Sequence, residues 1–305
     1  MTEPQAAICA DTGDFGLFLT LTVVEGKASS VRRAIADFPR MTADLGKELA
    51  EPRLTGAVAI GASAWPSLFG DRMPRGLVPF AALDDGPRHA PATPADLFIH
   101  IHSPRHDANF LLARRIMGRL DGHVHLIEEV HGFKYLGGRD LTGFVDGTEN
   151  PKDGERAEVA LVGDEDPAFA GGSYVSLQRY VHDLPRWEGN PVAEQEKTIG
   201  RTKDGDEELA DDVKPPTAHI ARVVIEENGE ELEVVRHSMP YGTTSESGLY
   251  FIAYCRDPAP FRRMLTRMVQ RDGEGHYDRL LDFTRPVTGA SFFAPPIPLL
   301  RDAAG

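Results

Sequence analysis

Leu97-Phe-Ile-His-Ile-His-Ser-Pro-Arg105, followed by an amphipathic stretch at Asn109–Leu120, returns in altered form as Leu249-Tyr-Phe-Ile-Ala-Tyr-Cys-Arg256 ahead of a second such stretch at Phe261–Gln270. The leading segments are rich in aromatic and β-branched residues and end at turn formers, the pattern of a strand. In the trailing segments Leu112, Ile116 and Leu120, and then Phe261, Met264, Leu265 and Met268, fall on one face of a helix. Two strand-helix units about 150 residues apart predict a duplicated α+β chain. The seam is expected in the Gly-rich stretch Gly137–Gly154, giving units of 1–140 and 141–305.

Working outward, further strands are predicted at Phe15–Val24, Ala57–Ala62, His123–Val130, Tyr174–Val181 and His219–Ile225, and a helical stretch at Val31–Leu49 interrupted at Pro39. The 305 residues are 41% hydrophobic and 26% charged, the profile of a soluble globular protein, and no apolar run approaches a membrane span of roughly 20 residues. A formal net charge of −14 argues against a phosphate-backbone partner. The acidic runs Asp204–Asp212 and Glu226–Glu233 read as solvated turns with no functional role. The N-terminus has no basic cluster before an apolar run, and Cys9 and Cys255 read as buried free thiols; both features predict a cytoplasmic protein.

Three places could carry chemistry. Asp146 lies among turn formers in Gly143-Phe-Val-Asp-Gly-Thr-Glu-Asn-Pro151; it is either an Asx-turn residue bonding its own backbone or an acid presented by a loop, and both readings stand at this point. His219 opens an apolar run and is either a core histidine or a metal ligand, with Arg236 seventeen positions later. His100 and His102 share one strand face, as do His123 and His125, and four imidazoles from neighbouring strands would suit zinc or non-haem iron.

Six segments decide between these readings: GFVDGTENP (143–151), IGRTK (199–203), AHIAR (218–222), RHSMPYG (236–242), GLYFIAYCRDP (248–258) and LDFTRPVTGASFF (281–293). In this order they resemble the B-type dye-decolorising peroxidases over almost the whole chain. The resemblance implies duplicated ferredoxin-like α+β domains with antiparallel sheets, and one haem b held mainly by the C-terminal domain. The implied activity reduces hydrogen peroxide to water through an oxyferryl state while oxidising dyes, phenols or similar small donors. A haem-handling protein without turnover is the non-catalytic alternative.

Carried onto this chain, the resemblance makes His219 the iron ligand, with Asp282 as the partner of its other ring nitrogen and Asp278 as a competitor. It puts Asp146 and Arg236 at the peroxide, with the cation expected to keep the aspartate ionised well below neutral pH and turnover optimal in mild acid. Ser238, where some members have asparagine, would bond a water beside them. Arg201 would meet a haem propionate, Gly147 and Thr148 would border the cofactor, and Leu249 and Phe251 would wall the pocket. Trp187, Tyr180, Tyr241 and Tyr254 are candidate electron relays, and no carboxylate cluster marks a manganese site. The resemblance also makes a homo-oligomer the expectation, while the short stretch after Phe293 shows no evident encapsulin-targeting tail.

Overall fold

The computed structural model describes residues 2–304. The N-terminal half contains β1 (Phe15–Val23), α1 (Ala28–Ala36), α2 (Phe38–Glu48), β2 (Thr55–Gly61), β3 (Leu97–Ser103), α3 (His106–Leu120) and β4 (Val124–Phe133). The strands pair antiparallel in the order β4-β1-β3-β2. The C-terminal half contains β5 (Ser173–His182), α4 (His219–Val223), β6 (Val235–Arg236), β7 (Met239–Gly242), β8 (Ser247–Cys255), α5 (Ala259–Val269), β9 (Thr284–Pro286) and β10 (Ala290–Ala294). Its main order, β10-β5-β8-β7, repeats that of the first half, so both are βαββαβ units. The predicted duplication is present. Pro39 falls in the first turn of α2, where its missing N–H is tolerated, so the interrupted stretch becomes two helices.

The two units join at both edges. Phe293 pairs with Ile60 and Tyr241 with Gly132, so the strands close on themselves and the inner edges are covered. Alternate residues of β1 then serve two cores: Leu17, Leu19 and Leu21 pack under the N-terminal helices, while Phe18 points into the enclosed space. There it stacks on Tyr250 of the other unit at a ring separation of 4.5 Å.

Two sequence expectations are corrected. The run at His219–Ile225 forms the short helix α4 instead of a strand. Short apolar runs carry no decisive period, and here Pro215 starts a turn that Ala218 N–H closes onto its carbonyl at 2.9 Å. The four-histidine metal site does not form, because β1 lies between β3 and β4, and His125 is exposed on β4. Among the described residues no cluster suited to a metal ion is found.

His100 and His102 instead turn inward and meet His237, with ring separations of 4.8, 5.3 and 5.5 Å. His100 Nδ1 lies 3.0 Å from the Tyr254 hydroxyl, and His237 Nε2 donates to the Ile8 carbonyl at 2.9 Å. Burial pulls His102 down to about 3, His237 to about 4, and His100 well below the ordinary imidazole value of 6.5. Below pH 6.5 the unfolded chain therefore binds protons that the folded one refuses, and stability falls as pH drops, by about 1.4 kcal/mol per pH unit for each histidine until its folded value is reached. We expect the urea midpoint to fall steeply from pH 7 to 5, and His102→Gln to remove about one proton from that slope; an unchanged slope in the variant would contradict the assignment.

Candidate active site

The Asp146 loop is built from its backbone outward. Gly143 and Gly147 have φ of +88° and +81°, which a Cβ would disfavour. Arg139 braces the turn by donating to the Gly143 carbonyl at 2.8 Å and the Lys203 carbonyl at 2.7 Å. Asn150, at the end of the same motif, accepts from Arg236 N–H at 2.8 Å and donates to the Arg236 carbonyl at 2.9 Å. This pair of hydrogen bonds fixes the acid-bearing loop against the strand that carries the arginine. Asn150 is a positioning residue that the motif contained without revealing its partner.

Asp146 is half-buried, and desolvation in the cavity pushes its carboxyl above the ordinary value of 3.8, against the opposing pull of Arg236. The sequence expectation counted the pull of the cation alone. A neighbouring cation lowers a carboxyl only where it outweighs desolvation, and the nearby Asp140 charge adds to the upward push. Arg236 Nε is buried and has no hydrogen-bond partner among the described residues, a donor left for a ligand.

His219 begins α4, which lies hard against Gly200: a Cβ there would sit 2.4 Å from Ile220 Cγ1. The glycine of the IGRTK segment thus permits the approach that presents His219. Its Nδ1 lies 2.6 Å from Asp278 Oδ2, which assigns the proton to Nδ1 and leaves Nε2 as the lone-pair nitrogen. The Asp282 expectation is corrected. Asp278 caps the turn Arg279–Asp282 through Oδ1, which accepts from Leu280 N–H at 2.9 Å, so Oδ2 is free to meet the imidazole. Asp282, one turn later, accepts from the Tyr277 hydroxyl at 3.1 Å.

His219, Asp146 and Arg236 border one cavity, together with Gly147, Thr148, Arg201, Leu249 and Phe251. Arg201 pairs with Glu149 and donates to the Asp206 carbonyl at 2.8 Å, while Thr148 donates to the Asp206 side chain at 2.6 Å. Ser238 is absent from the cavity wall, since its hydroxyl turns to Ile252 N–H at 3.4 Å. The acidic turn, read as merely solvated, brings Glu231 and Glu233 to the rim. His182 and Asp140 also reach the wall; their 3.2 Å pair, completed by Thr284, joins positions 42 residues apart and had no sequence signal. Of the relay candidates only Tyr180 lines the cavity.

The residues fit a haem. An apolar cavity wall, a lone-pair imidazole nitrogen backed by a buried carboxylate, and a guanidinium nitrogen with no partner among the described residues beside a half-buried acid are a donor set that suits an iron porphyrin.

Comparison with known proteins agrees. Residues 5–134 match the family model "Dyp-type peroxidase, N-terminal" and residues 137–298 the model "Dyp-type peroxidase, C-terminal". The dye-decolorizing peroxidase of Mycolicibacterium paratuberculosis is 45% identical over 98% of this chain and 85% of its own length. The encapsulated DyP-type peroxidase of Mycobacterium smegmatis superposes with a TM-score of 0.96 at 42% identity, over 99% of this chain and 98% of that one. DyPB of Rhodococcus jostii RHA1 gives 0.93 at 40%, over 98% and 97%, and its variants have been solved in complex with heme. The chain belongs to the Dyp-type peroxidase family. It is a haem peroxidase that uses hydrogen peroxide to oxidise reducing substrates.

Replacing Asp278 by Asn should weaken haem retention by about 10–100-fold, measured by transfer of the cofactor to an apo-myoglobin scavenger, whereas Asp282→Asn should leave it near wild type. Equal effects of the two would return Asp282 to the role.

Proposed function

We propose that His219 would hold the haem iron, that Asp278 orients it, and that Asp146 and Arg236 carry out the peroxide chemistry in the C-terminal unit, residues 141–305. The observation that carries this reading is the single cavity bordered by His219, Asp146 and Arg236. Bound haem supplies the iron at which peroxide is taken up and reduced. The Asp278 carboxylate, hydrogen-bonded to His219 Nδ1, increases electron donation from the other ring nitrogen. Asp146 removes the proton from one peroxide oxygen and returns it to the other, so that the departing oxygen leaves as water. Arg236 stabilises the negative charge that develops on that oxygen. Arg201 would hold a haem propionate in place of the half-exposed Glu149 carboxylate that pairs with it.

Leu249 and Phe251 hold bulky donors away from the cofactor. Residence in the cytoplasm is supported by the two unpaired cysteines, and assembly with further copies by the exposed Leu126 and Ile127 on β4. Ser238 is left out of the peroxide machinery.

Asp146 works as a base only when ionised, and its carboxyl is shifted upward. The rate of reaction with peroxide should therefore fall on acidification, with a midpoint above the ordinary 3.8. Stopped-flow mixing of haem-loaded protein with peroxide should show Asp146→Asn slowed by about 10²–10⁴-fold with that acid limb gone, and Arg236→Leu slowed by about 10²–10³-fold. Wild-type rates in both variants would overturn the assignment.

A further inference from the structure

A second cavity, of about 180 Å³, lies along α5 and meets the active-site cavity at one wall. The rings of Phe80, Tyr174 and Phe261 line it and the Ser176 and Ser291 side chains supply polar points, while the neighbouring Phe292 ring turns to the opposite strand face and packs on Phe98. Its other helix residues, Arg262 and Thr266, lie toward solvent. An apolar cavity of roughly 150 Å³ is enough to hold benzene. Aromatic walls with a few hydroxyls favour a flat, neutral ring bearing a hydrogen-bonding group.

Phe261 and Leu265 border both cavities. Phe261 also stacks on Phe251 of the active-site wall with ring centroids 5.6 Å apart. A ring held in the second cavity would thus be separated from the active site by the thickness of one side chain.

We propose that this cavity is the binding site for a small neutral phenol that serves as electron donor. The inference rests on the peroxidase reading and names one class of donor for it. Each phenol gives one electron through the Phe261–Leu265 partition to the peroxide-oxidised enzyme and releases its hydroxyl proton to water at the mouth. Two phenols and one hydrogen peroxide yield two phenoxyl radicals and two waters. The site gives small donors a route that does not cross the Leu249 and Phe251 wall, while a bulky anionic dye is too large for it.

The test uses haem-loaded protein, with 4-fluorophenol binding followed by fluorine NMR. Thr266→Phe and Ser291→Phe fill the cavity from α5 and β10, away from His219, Asp146 and Arg236. Both should weaken 4-fluorophenol binding at least tenfold and lower kcat/KM for phenol at least tenfold. The rate with peroxide and kcat/KM for a bulky anionic dye should stay within twofold. Wild-type phenol affinity in both variants, or equal losses for phenol and dye, would overturn the proposal. A wild-type protein that binds 4-fluorophenol but does not consume peroxide would remove the peroxidase reading and the donor role together, an outcome separate from failure of the site itself.

Discussion

Asn150 holds the main chain of Arg236 through two hydrogen bonds, and the chemistry of the site depends on that clamp. The Asp146 loop and the Arg236 strand are distant in sequence, yet acid and cation line one cavity. Taking charges out of water costs several kcal/mol per ion even after relaxation, so neither side chain would choose this place unaided. The backbone clamp holds the two groups where their mutual attraction acts, leaving Arg236 Nε without a hydrogen-bond partner among the described residues and the Asp146 carboxyl with a raised proton affinity. In the role proposed for Asp146 a base must both take and return a proton, and a carboxyl drawn upward from 3.8 is better matched to that exchange than one held far below it.

The other pair follows the opposite logic. His219 and Asp278 are joined directly, with the carboxylate fully buried and its second oxygen bonded to a backbone N–H. Here rigidity is the purpose, since the imidazole must hold one tautomer and one orientation. Gly200 contributes by having no side chain, which lets α4 settle where His219 can border the cavity.

Much of this was legible in the sequence and some was not, for identifiable reasons. The strands Leu97–Ser103 and Ser247–Cys255 and the helices after them carried strong local patterns, and these revealed the duplication. Closure of the sheets depends on Phe293 meeting Ile60 and Tyr241 meeting Gly132, pairings with no local signature. The helix at His219 is only five residues long, too short for its period to be told from a strand. Asp278 and Asp282 differ by one turn, and only the capping bond to Leu280 shows which of them faces the histidine. The upward push on Asp146 was not legible because desolvation, its leading cause, is a property of the folded cavity.

The duplication matters to the site in a way the C-terminal unit alone would not explain. His237 follows Arg236 directly, and its ring packs against His100 and His102 of the N-terminal unit while it donates to the carbonyl of Ile8. Arg156, a few residues beyond Asn150, bonds Asp11 in the same N-terminal segment at 2.7 Å. The strand bearing the arginine is therefore gripped from the loop side by Asn150 and from behind by residues of the other unit. Neutral, desolvated histidines suit that second grip, because a charged imidazole at the same place would repel its two neighbours and loosen the segment next to Arg236. Placement of Arg236 is thus a property of the closed two-unit barrel, and the packing that keeps the three histidines desolvated is the same packing that holds Arg236 in register.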